Sequence, residues 1–387
     1  MRRLAIAVGL AALAAVAWSL LPASPDLSPV PQPQPTAAQS RDDTALTVEE
    51  YEPRSTLVVD EHPVARARYP AVDVHSHHRP GFSVDRWHGI VSEMDALNLR
   101  VLVNLSGGSG PMLQRGVETI AGSDHAGRMV FFANLNFGGG VGPGFGERAA
   151  EQLARDVAAG AVGLKFFKDF GISVRDQSGA RVPVDHPELD PVFETAGRLD
   201  IPVLMHVGEP LSFYEPVDRY NERWLELTLL PRRRLPADRY PSFDTMMEER
   251  DRLFARHPGT RFIAAHMGWH ANDLGRLGRV LDRFPNVYTE TGAILYELGR
   301  QPRTARAFFT EYQDRVLFGK DRYAPDEFPY YWRTFETADE YFDYYRRYHA
   351  FWKMYGMDLP DEVLRKLYYR NALEVIPGID RSLFPPR

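Results

Sequence analysis

The sequence predicts an α/β fold, a (β/α)8 TIM barrel with an insertion after its fifth strand and a helical extension at its C-terminus. Eight short apolar runs are separated by longer segments, several of which have helical periodicity. Strands that alternate with helices pair in parallel through right-handed crossovers, and eight such units close into a barrel. The chain has no repeat of fixed short period, which excludes solenoids and propellers.

The predicted strands are short and mostly apolar. The first contains the run 69–72 and ends near residue 77, where a loop begins. The other seven are predicted at residues 101–105, 129–134, 162–167, 201–206, 262–266, 287–291 and 316–321. Helices are predicted at residues 86–98, 147–159 and 187–199.

The N-terminal segment predicts export. Arg2 and Arg3 precede an almost continuous apolar run, which is typical of a signal peptide over residues 1–24. An uncleaved membrane anchor is the alternative. The protein is therefore expected to be periplasmic or secreted, or tethered to the membrane. Residues 25–42 form a Pro-rich linker, and residues 43–387 form the barrel domain.

Composition excludes several classes of function. The formal net charge of -6 gives no basic excess, so no nucleic-acid partner is expected. The chain has no cysteine, which excludes disulfides and thiolate chemistry. A metal site in this protein must therefore use histidine, carboxylates or a modified lysine.

Ionisable residues recur at the ends of predicted strands. His75 and His77 are two apart, so they share one face of the first strand. His206, His266 and Asp321 end the fifth, sixth and eighth strands. The carboxyl ends of barrel strands meet at one mouth, and imidazole and carboxylate are ligands of divalent metals. The sequence therefore predicts a metal site at the mouth.

The two added segments are expected to lie over or beside the barrel. The insertion, residues 211–258, should cover the mouth, and its side chains Arg219, Asn221, Arg223 and Trp224 are candidates for substrate binding. A solvated helix face is the equal alternative for its charged residues. The extension, residues 339–376, carries aromatic residues at near-helical spacing, and we interpret them as packing on the barrel or a partner subunit.

Several motifs, taken together and in this order, resemble the amidohydrolase superfamily, in particular its amidohydrolase-related branch. That branch includes aminocarboxymuconate-semialdehyde decarboxylase, resorcylate decarboxylases and lactonases. The resemblance covers roughly residues 72–376. It rests on Asp-Val-His-Ser-His at 73–77 and on the segments 203–206, 257–268, 286–291, 317–321 and 371–372.

The resemblance implies specific roles at the mouth. His75, His77, His206 and Asp321 would be metal ligands. His266 would act as a base or orient water beside the metal, and it is a ligand in some members. One Zn2+ is the expected ion, with Mn2+ and Fe2+ as alternatives and a second metal less favoured.

Two lysines depart from, or extend, this pattern. Lys320 stands where a small residue often precedes the aspartate, which leaves the shape of the mouth open. Lys165 ends the fourth strand, where a carboxylated lysine bridges two metals in binuclear members. We favour the simpler interpretation that Lys165 pairs with Asp321, Glu209 or a substrate anion.

The predicted function is that of a metal-dependent hydrolase. A metal-activated water would attack an ester, lactone or amide bond of a small anionic or aromatic substrate, with Asp321 and His266 as the catalytic residues. The alternative is a metal-dependent decarboxylase of an aromatic or enoic acid. A binding protein on a degenerate enzyme scaffold ranks below both, because all the expected ligands are present. The partner is a small molecule, and homo-oligomerisation is left open.

Overall fold

The computed structural model describes residues 53–79, 81 and 83–386. It divides the chain into two units, Met1–Val58 and Val59–Arg387. The described part of the first unit, residues 53–58, forms no helix or strand. The predicted signal peptide or anchor and the Pro-rich linker lie outside the described residues. Over the part of the chain that is described, no helix combines the length and the apolar character needed to cross a membrane.

The second unit contains eight parallel strands that follow one another around a barrel in chain order. They are β1 Ala71–Ser76, β2 Leu99–Asn104, β3 Met129–Asn134, β4 Ala161–Phe166, β5 Val203–Met205, β6 Phe262–Ala264, β7 Val287–Glu290 and β8 Val316–Leu317. The amide of Val74 donates to the carbonyl of Phe318 at 2.9 Å, which links β1 to the chain after β8. The predicted (β/α)8 barrel is confirmed.

Helices follow most strands and pack on the outside of the sheet. Those of the barrel and the insertion are α1 Val84–Leu97, α2 Pro111–Ala121, α3 Phe145–Ala158, α4 Asp190–Arg198, α5 Trp224–Leu229, α6 Phe243–Arg256, α7 Leu274–Arg283, α8 Leu295–Gly299, α9 Pro302–Glu311 and α10 Phe328–Glu336. The C-terminal part adds α11 Asp361–Arg365 and α12 Asn371–Val375. The three predicted helices correspond to α1, α3 and α4, the last preceded by a single turn at Pro187–Leu189.

The strands that carry the predicted site residues are shorter than predicted. β6 ends at Ala264, because His266 and the two residues after it adopt left-handed backbone angles that no strand accepts. Asp321, predicted to end β8, has a φ of 84° and lies four residues beyond the strand. Both departures from strand geometry therefore occur at predicted site residues that follow the end of a strand.

The C-terminal extension is helical only from Asp361 onward. Residues 339–360 contain no α-helix, and Phe342 and Met354 instead exchange two backbone hydrogen bonds. The helical prediction for this part was wrong because its aromatic residues do not share one face. Phe342 and Tyr344 are buried, Tyr344 against Tyr296 of the barrel, whereas Phe351 is 82% exposed.

Candidate metal centre

His75 and His77 present the same ring atom to the barrel mouth. His75 lies in β1 and is fully buried, and His77 follows the strand with 29% of its side chain exposed. Their Nε2 atoms are 3.2 Å apart. The alternation of side chains along a strand, from which the sequence predicted this pair, therefore holds through the end of β1.

Asp321 completes a triangle of potential ligand atoms. Its Oδ1 lies 3.5 Å from Nε2 of His75 and 3.4 Å from Nε2 of His77. A tetrahedral site with metal–ligand distances of about 2.0–2.1 Å has ligand atoms about 3.3 Å apart. The three separations of 3.2–3.5 Å match that spacing, so these residues fit a divalent ion.

Each histidine of the triangle is oriented by a hydrogen bond from its other ring nitrogen. Nδ1 of His75 lies 2.9 Å from Oε1 of Glu290, and Nδ1 of His77 lies 2.8 Å from Oγ of Ser106. A carboxylate bonded to Nδ1 places the proton there and leaves the lone pair of Nε2 for a metal. The tautomer that ligation requires is thus set within the protein for His75.

Glu290 is a functional residue that the sequence analysis did not assign. It ends β7 and is fully buried, and burial raises the pKa of its carboxyl. The backbone amides of His266 and Gly292 donate to it at 2.7 and 2.5 Å, in addition to the bond with His75. Its position at the end of a strand, shared with the predicted ligands, is the signal that would have found it. Ser106 offered no comparable signal.

Gly319 provides the space in which Glu290 sits. A Cβ atom added at position 319 would lie 2.2 Å from Oε2 of Glu290 and 2.9 Å from Cβ of His75. Neither neighbour can move without disturbing the triangle, because Glu290 holds His75 in place. Glycine is therefore required here by a close approach of side chains.

His266 lies beside the triangle, and both of its ring nitrogens have partners within the protein, Gly292 and His206. Its Nδ1 is 2.8 Å from the carbonyl of Gly292, so Nδ1 is the donor and Nε2 carries the lone pair. Burial, and then the neighbouring His206, lower the pKa of His266 to about 3. The ring is therefore neutral near pH 7. It faces His75 at 4.8 Å between ring centroids.

The backbone that carries His266 forms a left-handed turn. His266, Met267, Gly268 and Trp269 all have φ between 52° and 58°. Left-handed angles cost non-glycine residues roughly 1–2 kcal/mol each, and such strain concentrates at functional sites. The buried Arg250 donates from Nη1 to the carbonyl of Gly268 at 2.9 Å and helps to hold the turn.

His206, the fourth predicted ligand, faces His266 instead of the triangle. Its Nδ1 lies 3.1 Å from Nε2 of His266, and burial lowers its pKa to about 4. Its buried Nε2 makes no hydrogen bond among the described residues, and the nearest carboxylate oxygen, on Glu209, is 3.6 Å away. The structure thus brings three of the four predicted ligands together, and ligation by His206 stays a prediction.

A second group of potential ligands, His75, His266 and Glu290, is also compact. Its atoms are already used, however, because Nδ1 of His75 bonds Glu290 and Nδ1 of His266 bonds Gly292. We therefore place the candidate metal centre at the His75, His77 and Asp321 triangle.

Lys165, at the end of β4, is buried without a polar partner. Its side chain is 1% exposed, and Nζ makes no hydrogen bond among the described residues. Burial lowers its pKa to about 8. No ion pair joins it to Asp321 or Glu209 in the described part of the chain, and Glu209 pairs with Lys168 at 2.9 Å instead. The structure therefore shows no direct ion pair of Lys165 with either carboxylate among the described residues, and its pairing with a substrate anion, like its modification, stays a prediction.

Lys320 does not enter the mouth. Its Nζ contacts Glu327 and donates to the carbonyl of Arg322 at 2.6 Å, on the side away from the ligands. Its backbone amide donates to Oδ1 of Asp73 at 2.9 Å, and the same oxygen accepts from the amide of His75 at 3.0 Å. Lys320 therefore helps to fix the chain between β8 and β1 and leaves the mouth clear.

The four substrate-binding candidates of the insertion have different surroundings. Arg219 and Trp224 are exposed, and Arg219 stacks on Tyr220. Asn221 and Arg223 are buried and bonded within the insertion, Asn221 to the carbonyl of Ser212 at 2.8 Å and Arg223 to Glu226 at 2.7 Å. None of the four lines the cavity described next.

A cavity of about 310 Å³ lies among the loops that follow β5, β6 and β7. Tyr220 and Glu222 of the insertion contribute to its lining, so the insertion does reach the carboxyl end of the barrel. Trp269 also lines it, and the Trp269 ring packs against His266 at 4.6 Å and His206 at 5.5 Å between centroids. The cavity therefore adjoins the histidines of the mouth.

Comparison with known proteins identifies one family and several solved structures of similar fold. A family model described as amidohydrolase matches residues 125–377, which include His206, His266 and Asp321 but not His75 or His77. An uncharacterised TIM-barrel protein from Bordetella bronchiseptica is 16% identical over 79% of this chain and 97% of its own, with a TM-score of 0.51. At that identity the likeness supports the fold alone.

Two further solved structures are more distant in shape. A 2,6-dihydroxybenzoate decarboxylase from Rhizobium is 18% identical over 82% of this chain and 98% of its own, with a TM-score of 0.48. A putative amidohydrolase from Staphylococcus aureus is 15% identical over 79% and 99% of the two chains, also with a TM-score of 0.48. A search of the curated proteins found no match.

Proposed function

The chain belongs to the amidohydrolase family, and from that membership we propose that it is a metal-dependent hydrolase of a small ester, lactone or amide. The observation that carries the proposal is the triangle of two imidazole nitrogens and one carboxylate oxygen separated by 3.2–3.5 Å. His77 and Asp321 remain 29% and 34% exposed, so a substrate can reach it.

His75, His77 and Asp321 would hold the ion, with His206 as the proposed fourth ligand. Two or three imidazoles and one carboxylate form a donor set typical of Zn2+, with Mn2+ and Fe2+ as alternatives. When bound, such an ion polarises a carbonyl group and lowers the pKa of water toward neutrality.

Asp321 is the proposed proton acceptor. Its Oδ1 faces the two histidines, and its other carboxylate oxygen makes no hydrogen bond among the described residues. That oxygen can take a proton from the attacking water as the water oxygen bonds to the carbonyl carbon. The same proton can then pass to the leaving oxygen or nitrogen as its bond to that carbon breaks.

His266 is the proposed orienting residue. Because its Nδ1 is committed to the carbonyl of Gly292, Nε2 can only accept a hydrogen bond. With a pKa of about 3, caused mainly by burial, the ring is a poor proton donor near pH 7. The ring therefore does not protonate the leaving group. It can align the attacking water only if its Nε2 exchanges the present contact with Nδ1 of His206 for one with water.

A decarboxylase of an aromatic or enoic acid is the second candidate function, and Lys165 is the observation that favours it. Its buried amine, without a partner among the described residues, is a suitable contact for a substrate carboxylate at the mouth. A hydrolase needs no such cation beside the reacting bond.

Turnover in oxygen-18 water separates the two functions. Purified protein would be screened with aryl esters, lactones, anilides and hydroxybenzoates, and the products analysed by mass spectrometry. Hydrolysis places the label in the new carboxylate, whereas decarboxylation releases carbon dioxide and adds only a solvent hydrogen to carbon. Label in a product formed by wild type but not by the His75→Ala/His77→Ala variant supports the proposal. Carbon dioxide release without label supports the second candidate.

A further inference from the structure

The cavity beside the mouth has a chemical character that differs from that of the metal centre. It lies between the loops after β5, β6 and β7, and Trp269 separates it from His206 and His266. Its volume of about 310 Å³ is at the lower end of the range of roughly 300–1,000 Å³ found for ligand sites. A molecule that fills it and extends past Trp269 would place its other end at the mouth.

The charged groups that line the cavity are mainly acidic. Glu215, Glu222 and Glu297 contribute three carboxylates, and Arg300 contributes the one guanidinium. Glu215 forms no ion pair among the described residues and is exposed. A carboxylate without a counter-charge attracts cations and repels anions.

Arg300 cannot offer its charge to a ligand anion. It bonds Glu222 at 2.8 and 3.3 Å through its two terminal nitrogens, and Nη2 also lies 2.5 Å from Oε2 of Glu297. Its guanidinium plane stacks on Trp352 at 4.2 Å from the ring centroid. The hydrogen-bonding edge and one face of the Arg300 guanidinium therefore already contact other groups of the protein.

Glu297 is buried beside Arg300, and its Oε2 is held by charge and not by a well-aligned hydrogen bond. The residue is 6% exposed, and its buried Oε2 forms the ion pair with Arg300 but no hydrogen bond of good geometry among the described residues. A buried carboxylate oxygen without a hydrogen bond is costly and rare. Burial raises the pKa of Glu297 to about 7, so Glu215 and Glu222 carry most of the negative charge near neutral pH.

The cavity also has aromatic walls. Tyr220, Trp269 and Tyr296 contribute rings to it, and Arg219 and Arg223 already lie over one face of Tyr220 and Tyr296, at 4.9 and 4.4 Å from the ring centroids. Aromatic faces beside carboxylates are a recurrent environment for bound ammonium groups, which are attracted to the ring electrons and to the negative charge. An anionic group would meet neither attraction.

We propose that this cavity binds a protonated amine of the substrate, with the unpaired Glu215 as the recognising carboxylate and Glu297 as a second acceptor. The inference rests on the proposed function and deepens it. The substrate is a small amine-bearing ester, lactone or amide whose ammonium group enters the cavity while its carbonyl lies at the metal centre. The sequence predicted an anionic or aromatic substrate, which stays a prediction.

Three probes of similar size test the proposal: phenethylamine, 2-phenylethanol and 3-phenylpropanoate. Their binding to the metal-loaded full chain would be measured by isothermal titration calorimetry at pH 7. Phenethylamine should bind at least about tenfold more tightly than 2-phenylethanol, as expected for a charge-assisted hydrogen bond. In Glu215→Gln, and more fully in Glu215→Gln/Glu297→Gln, this preference should fall close to unity. Glu194→Gln, an exposed glutamate on α4, should leave it unchanged.

The outcomes separate this inference from the proposed function. Equal binding of amine and alcohol by wild type, or a preference that survives Glu215→Gln/Glu297→Gln, overturns the inference. If 3-phenylpropanoate binds most tightly and Glu215→Gln does not change it, the cavity is not the binding site and the inference fails. An amine preference lost in the variants, in a protein that hydrolyses nothing, leaves the inference standing and removes the hydrolase.

Discussion

The mouth has two sides that differ in how their ionisable side chains are hydrogen-bonded. One side is built from β1 and β8, and the other from β4, β5 and β6. On the first side, His75, His77 and Asp321 converge, and Glu290 and Ser106 occupy the remaining histidine nitrogens. On the second side, Nζ of Lys165 and Nε2 of His206 are buried and make no hydrogen bond among the described residues.

This difference shows which contacts the protein supplies and which it leaves to a ligand. Hydrogen bonds that fix ring orientation in advance remove the cost of ordering a metal site at binding. Buried polar atoms without partners cost free energy, so they persist where a substrate or ion completes them. We interpret the first side as preformed for the metal and the second as completed on binding, by the ion at His206 and by the substrate at Lys165.

The largest expected effect comes from removing the preformed side. His75→Ala/His77→Ala should lose the bound ion, which we expect at about one divalent ion per chain, and activity should fall to background. Elemental analysis after expression with added zinc measures the ion, and circular dichroism checks that the barrel is folded. Wild-type protein without metal under the same conditions would contradict the proposed centre.

Asp321→Asn should separate catalysis from metal binding. The amide keeps the shape and one ligand oxygen but cannot accept the proton, so kcat/KM should fall by roughly two to four orders of magnitude. Metal content should fall much less. If activity and metal content fall in equal proportion, Asp321 is a ligand only and the acceptor role is wrong.

Glu290→Gln tests whether the contact of Glu290 with Nδ1 of His75 prepares that ring for metal binding. The amide can still contact Nδ1 but no longer favours the required tautomer, and metal affinity should fall about 10–100-fold. Ser106→Ala removes the weaker, neutral partner of His77, so its effect should be smaller. Competition with a chromogenic chelator measures both, and a larger effect at Ser106 would reverse the proposed ranking.

Lys165→Met tests the side of the mouth whose buried polar atoms lack hydrogen bonds. Among these variants it should have the smallest effect on metal content. The pKa of Lys165, lowered by burial to about 8, lies below its value of about 10.4 in the unfolded chain. The charged amine therefore destabilises the fold at pH 7, and this penalty is relieved as the pH rises from about 8 to above 10. Between these limits the unfolding free energy of wild type should gain up to about 3 kcal/mol relative to Lys165→Met.

The control for that comparison is Lys168→Met. Lys168 is half exposed and paired with Glu209, so its replacement should not alter the pH dependence. Chemical denaturation at pH 7 and pH 10 would show the difference. A Lys165→Met curve parallel to that of wild type would mean that the amine has a partner or that solvent reaches it.

The sequence predicted the barrel and the convergence of the ligands because both follow from local rules. Alternation along β1 fixes the shared direction of His75 and His77, and strand ends meet at one mouth in any parallel barrel. Glu290 and Ser106 were not predicted as partners, because their contacts depend on how the end of β1 is positioned against the ends of β7 and β2. The burial of Asn221 and Arg223 was likewise not predicted, since charge and polarity along a segment do not reveal which groups turn inward.

The extension shows a further limit of pattern analysis. Tyr344 and Phe342 are buried although they lie in no helix, and Tyr344 packs against Tyr296 of the barrel. Burial by tertiary contacts can thus imitate helical periodicity over a short segment.

The left-handed turn places His266 and Trp269 in one rigid segment of backbone. Trp269 is held by a hydrogen bond from Nε1 to the carbonyl of Gly208 at 3.0 Å, and Arg250 donates to the carbonyl of Gly268 in the middle of the turn. A backbone in this conformation has few nearby alternatives into which it can relax. A ligand that fills the cavity therefore contacts the same rigid segment that fixes the position of the His266 ring.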